Sequence, residues 1–341
     1  MKSKIFFKFT FILIVVFSSN AQVNNILNAE TPDEVGELTE DQEKYNDDKP
    51  LPYGYVGDRD VLWSKVVWET IDLNQKVNFP LLFPTDNRKF GENRRSLFQV
   101  LLDGIKEGTK DKPNETAITE VYSTSYFNQK IDYEDITNKL KAIFFDDQGK
   151  ALLNQYGISD LDKLKTFKQR ALDSTLNDYP NLYPPELVSK MKDDGYLIPE
   201  EITAGDIQHY LIKGMWYFDK RQGEQKYRLL AIAPAGEGIQ TRSNTFSGKP
   251  EVTPYFWVWY PDARNALYDA NVLNKDNSAK PLNFDQLLTS RRFDAKIYKT
   301  ENVYEDREID EYIEKNAMMQ LLESNRIKEE IRNFELDMWN Y

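Results

Sequence analysis

The chain contains no cysteine and a single histidine among its 341 residues. Without cysteine there is no disulfide, no thiol nucleophile and no thiolate metal ligand, so stability has to come from core burial and assembly. There is also no thiol on which a bacterial lipid anchor could be built, so a lipoprotein is not expected. One histidine, His209, excludes a multi-histidine metal site and leaves a Ser-His-Asp device only one base. It lies in Asp206-Ile207-Gln208-His209-Tyr210-Leu211 without a Gly-x-Ser-x-Gly elbow, which favours a structural histidine. Phosphate cradles are missing too: Gly236-x-Gly238 lacks the third glycine, and no Gly-x-x-x-x-Gly-Lys-Ser/Thr occurs. Asp146-Asp147 and Asp269-x-Asn271 resemble pieces of calcium loops but lack the glycine and terminal glutamate spacing. No cofactor or metal is therefore expected.

Long apolar runs are absent as well, apart from Phe9 to Phe17, broken only by Thr10. That run is shorter than the ~20 residues a membrane-crossing helix needs. Lys2, Lys4 and Lys8 precede it and Ser19-Asn20-Ala21 follows, the pattern of an export signal over residues 1–21 with a mature start at Gln22. Cleavage there removes three lysines and no acid, moving the formal net charge from −12 to −15. Such an acidic chain makes nucleic acid an unexpected partner, since phosphate binding depends on clustered Lys and Arg. Carboxylate chemistry stays open, because two acids suffice for glycoside hydrolysis, but 56 Asp and Glu give no basis for choosing a pair.

What the chain has in quantity is aromatic residues: 20 Tyr, 19 Phe and 6 Trp, favoured in cores and interfaces alike. After a flexible acidic arm (22–50), a turn-rich start at Leu51-Pro52-Tyr53-Gly54-Tyr55 opens a first αβ half, 51–130. Asp60 to Leu73 fits short strands or a strand and a helical turn; an amphipathic helix follows from Arg95 to Glu107, ended by Gly108, and a strand from Thr119 to Phe127. A helical connector, 131–204, follows, with Ile136, Leu140, Ile143 and Phe144 on one face and Leu161, Leu164, Phe167, Ala171 and Leu172 on another. The second αβ half, 205–304, has strand signals at Gly214 to Phe218, Tyr227 to Ala233 and Tyr255 to Tyr260. The last run reads either as a buried strand or as an exposed sugar or partner platform.

Residues 305–339 lack Gly and Pro, so a C-terminal helix is expected across 305–341. Ile327, Ile331, Phe334 and Met338 fall on one seam of it, to be buried on its own domain or on a neighbouring subunit. An internal echo links the halves. Trp68, Phe98-x-x-Leu101-Leu102 and Val121-Tyr122-x-Thr124 are matched in order by Trp216, Phe284-x-x-Leu287-Leu288 and Ile297-Tyr298-x-Thr300. The spacings differ, so the echo fits either a structural duplication with insertions or a chance likeness of short motifs. The fold class expected is α+β, with two related αβ halves as one version of it.

Leu51-Pro52-Tyr53-Gly54-Tyr55-Val56-x-Asp58-Arg59-Asp60-Val61-Leu62-Trp63-Ser64-Lys65, then Trp68-Glu69-x-Ile71-Asp72-Leu73-Asn74 and Asn78-Phe79-Pro80-Leu81, closely resembles the N-terminal signature of the GldN/PorN family. These are gliding-motility and type IX secretion proteins of Bacteroidetes. Tyr210 to Asp219, Leu230 to Pro234 and Trp257 to Pro261 look like the family too, so the resemblance covers most of 51–300. It implies a periplasmic, non-catalytic subunit that associates with a GldK/PorK-type outer-membrane lipoprotein and with itself in a ring. The inner-membrane components GldL and GldM would be neighbours, and the protein would be held at the outer membrane peripherally, through its lipoprotein partner. Tyr53, Arg59, Asp60, Trp63, Trp68 and Asp72 are interface candidates, because aromatic and Arg residues anchor interfaces. A role in the core or in buried pairs fits them equally. The alternative function is a periplasmic or secreted carbohydrate-binding or carbohydrate-active protein using paired carboxylates.

Overall fold

Extended structure begins where β-branched and aromatic residues replace the acidic run. The computed structural model describes residues 49–86, 94–242, 250–272, 282–303, 305–314 and 316–339. The expected signal and the arm up to residue 48 lie outside them. After a 3-10 turn over Asp58–Asp60 the chain runs through β1 (Val61–Asp72), where four successive residues, Val66 to Glu69, are buried. A strand buried on both faces this way belongs in the middle of a sheet.

A short helix, α1 (Phe79–Leu82), precedes α2 (Leu97–Gly108). Ser96 caps α2 by accepting a hydrogen bond from the Gln99 amide at 3.3 Å, and Leu97, Phe98, Leu101 and Ile105 form its buried stripe. The strand expected from Thr119 to Phe127 shrinks to β2 (Val121–Tyr122). Upstream, the Thr119 and Glu120 amides donate to the Asp262 carboxylate at 2.6 and 2.8 Å instead of to a ladder; downstream, Phe127 turns left-handed (φ 59°).

The connector contains α3 (Tyr133–Leu140), β3 (Lys141–Phe145), α4 (Asp147–Gln155), α5 (Leu161–Leu172), α6 (Pro185–Asp193) and β4 (Leu197–Glu201). Ile143 and Phe144 do not continue the helical face of Ile136 and Leu140. They lie in β3, paired antiparallel with β4. The run Lys-Ala-Ile-Phe-Phe suits a strand, and its period of two serves two cores at once. Ala142 and Phe144 face the main core, while Ile143 and Phe145 join Leu153, Phe167, Leu187 and Met191 in a second.

The chain then forms β5 (Ile207–Asp219), β6 (Glu224–Glu237), β7 (Val252–Pro254) and β8 (Trp257–Trp259). These lead into α7 (Tyr260–Asp269), β9 (Asn271–Val272), β10 (Leu282–Asn283), α8 (Phe284–Thr289), β11 (Lys296–Thr300), α9 (Ile309–Tyr312) and α10 (Ala317–Trp339). The main sheet runs β11-β1-β5-β6-β8-β2, with β7 beside β6, and its ladders are antiparallel. The fold is α+β and ends in a helix, as expected. That helix starts at Ala317 rather than 305, because Glu305 and Asp306 are left-handed (φ 61° and 53°) and α9 intervenes.

The motifs of the internal echo occupy matching element types. Trp68 and Trp216 lie on β1 and β5, Phe98 and Phe284 on α2 and α8, and Val121 and Ile297 on the edge strands β2 and β11. The two tryptophans point to opposite faces of the sheet, since Trp68 pairs with Lys213 and Trp216 with Lys65, three positions away along β1. Both halves contribute to the one sheet, and residues 50–341 form one compact unit.

Candidate functional site

The segment 51–56 has no regular structure of its own, and three arginines hold it by its main chain. Arg264 Nη1 donates to the Leu51 carbonyl at 2.6 Å, Arg228 Nη2 to that of Gly54 at 2.8 Å and Arg221 Nη2 to that of Tyr55 at 3.0 Å. The Tyr53 ring has the Arg228 and Arg264 guanidiniums within 4.8 and 4.5 Å of its centroid. Burial pushes its phenol up to about 12, with Arg264 pulling the other way. Arg264 is itself fixed on α7 by a bidentate pair with Asp285 of α8, both bonds 3.0 Å, and the Tyr260 hydroxyl donates to the same carboxylate at 2.8 Å. Asp60 pairs with Arg221 Nε at 3.2 Å, so the turn before β1 is tied to the same cluster, while Arg59 beside it is exposed. Arg221, Arg228, Arg264 and the segment itself line a cavity of about 460 Å³ beside the strap.

Along β1 the remaining candidates separate by face. Trp63 stacks on Phe334 of α10 with ring centroids 4.6 Å apart and planes 17° from parallel. Trp68, on the other face, is 1% exposed and packs with Val66, Ala231, Ala233 and Trp257, with the Lys213 and Lys299 ammoniums over its ring. Asp72 accepts from the Asn74 amide at 2.9 Å and lies across the ladder from His209. In the terminal seam, Ile327 and Ile331 are buried on Val67, Ile297 and Ile309, so α10 packs on this chain's own sheet. Phe334 and Met338 are half-buried.

His209 Nδ1 is 3.8 Å from Asp72 Oδ1 and is buried without a hydrogen-bond partner. Burial holds the imidazole below its ordinary value, against the opposing pull of Asp72. Among the described residues no cluster of three or more His, Asp or Glu could hold a metal ion. Asp146 instead accepts from the Asp147 amide at the start of α4, and Asp269 closes α7. In the aromatic run, Tyr255, Phe256, Trp257 and Tyr260 are buried, and only Trp257–Trp259 is strand, because Pro261 starts α7. Those rings are core and form no exposed platform.

Sequence reasoning missed the three arginines and a second buried pair, Glu69 with Arg291, in which the guanidinium lies 4.1 Å from the Tyr227 ring centroid. Glu69 did carry a signal, as an acid inside the apolar run Val66 to Ile71 needs a cation. Which cation answers it depends on long-range topology. On the outer side of α10, Met318, Met319, Leu321 and Leu322 are exposed, with Tyr312 before them. No helix among the described residues is long and apolar enough to cross a membrane.

Compared with known proteins, residues 56–340 match the family model described as gliding motility associated protein GldN. A search of curated proteins returns no match.

Proposed function

From the premise that this chain belongs to the GldN family, we propose that it is a non-catalytic structural subunit of the gliding-motility and type IX secretion apparatus. It is exported to the periplasm and held at the outer membrane by a GldK-type lipoprotein, with which it assembles into a ring beside GldL- and GldM-type components. The observation that carries this reading is the family match across nearly the whole body of the fold. The expected export signal, in a chain with no cysteine to carry a lipid anchor, accords with it. The exposed Met and Leu side chains at the start of α10 also accord with a chain that makes contacts with others.

The test is co-expression of residues 22–341 with the GldK-type lipoprotein of the same organism, followed by affinity co-purification and light scattering. Co-elution as one large assembly is expected. A monodisperse monomer that ignores the lipoprotein would overturn the reading.

A further inference from the structure

The arginine groove has the construction of a peptide-binding site. Its three hydrogen bonds all end on main-chain carbonyls, of Leu51, Gly54 and Tyr55, so the bonds themselves read an extended backbone and no side chain. Two of the side chains they pass are left in solvent, Leu51 at 83% exposure and Tyr55 at 85%. A Cβ built on Gly54 meets nothing within 4 Å, so the groove does not demand glycine there. The one side chain it takes in is Tyr53, whose ring lies against two guanidiniums. The tyrosine hydroxyl ends buried without a hydrogen-bond partner, a cost that weakens the seat.

A segment with no secondary structure, in which only Tyr53 and Val56 carry half-buried side chains, opens more cheaply than the sheet it precedes. Two of the three arginines have ion-pair partners besides it. Arg264 stays fixed by Asp285, and Arg221 keeps Asp60 and Asp219 as partners at 3.2 and 3.5 Å. We infer that this groove is a binding site for an extended, tyrosine-bearing peptide, filled in cis by residues 51–55 and open to the same segment supplied in trans. In the intact chain the tethered segment competes at the millimolar effective concentration of a short linker, so a free peptide enters only at comparable concentration or when the strap is weakened.

The experiment uses residues 22–341 carrying Tyr53→Ala, with the fold checked by circular dichroism, and a fluorescein-labelled peptide of residues 49–57 read by anisotropy. The variant should bind the peptide on the order of a hundredfold more tightly than the wild-type chain. Adding Arg228→Ala, or replacing the peptide's tyrosine by alanine, should abolish that binding. A folded variant that ignores the peptide, or equal binding by variant and wild type, overturns the inference. Saturation-transfer NMR on the unaltered chain gives an independent reading. At millimolar concentration the peptide's tyrosine should receive saturation from the protein, and the peptide with alanine in place of tyrosine should not; no transfer to either overturns the inference even if the variant does not fold.

Discussion

Arg291 closes a two-pronged ion pair on Glu69 from 222 positions away, with Nη2 2.8 Å from Oε1 and Nη1 2.9 Å from Oε2. Glu69 is 1% exposed, so its charge has no water to fall back on. Removing one member leaves the other desolvated and alone, which costs about 3–5 kcal/mol. Arg291→Met should therefore destabilise the fold by that amount in urea titrations. The double variant Glu69→Leu with Arg291→Met should be less damaged than the single one. Additive losses would show that the two side chains are not coupled.

Gly214 supports the same pair from below. A Cβ at that position would collide with the hydroxyl end of Tyr227, whose hydroxyl donates to Glu69 Oε2 at 3.3 Å. Gly214→Ala must push Tyr227 off the carboxylate or bend β5, and about 1–3 kcal/mol of destabilisation is expected from overpacking. In a Tyr227→Ala background Gly214→Ala should cost less than it does in the wild type. A neutral Gly214→Ala would mean that the ring has room to move.

His209 sets a direction for acid sensitivity. Burial keeps its folded-state value below the ordinary ~6.5, so just below pH 6.5 the unfolded chain takes up a proton that the folded one refuses. The stability contributed by the neutral imidazole is present above that pH and is lost as pH falls toward the folded-state value. As the chain's one histidine, it can be isolated by comparing the wild type with His209→Gln. Between pH 8 and 5.5 the wild type should lose more stability than the variant; parallel losses would mean that His209 titrates alike in both states.

How far the fold was legible depended on the range of the interactions. The stripe Leu97, Phe98, Leu101 and Ile105 declares itself by local period and formed where expected, while the β-branched and aromatic composition around Trp68, open between short strands and a strand with a helical turn, became one long strand. Ile143 and Phe144 were misread because an apolar run that follows a helix continues its period for a few residues, and only pairing with β4 makes it a strand. The break before α10 was invisible for a related reason. Glu305 and Asp306 are left-handed without being glycine, held by hydrogen bonds such as that from the Asn302 amide to Asp306 Oδ1 at 3.0 Å. At the groove, Tyr53 and Asp60 were visible in the signature, whereas Arg221, Arg228 and Arg264 come from three distant places that only the fold brings together.

The terminal helix separates stability from assembly. Ile331 is 4% exposed and packs with Val67, Ile297 and Ile327, so Ile331→Ala should cost about 2–5 kcal/mol. Trp63 and Phe334 stack at the next turn, and Phe334→Ala should lower stability in the same sense by releasing the end of α10 from β1. These losses belong to the isolated chain and should appear by denaturation with no partner present. Deletion of residues 317–341 would strip Val67 and Ile297 of their cover, so any failure of that truncated chain to assemble reports unfolding first. A truncated chain that keeps the wild-type urea midpoint would show that α10 contributes nothing to this fold, and would return its seam to a neighbouring subunit.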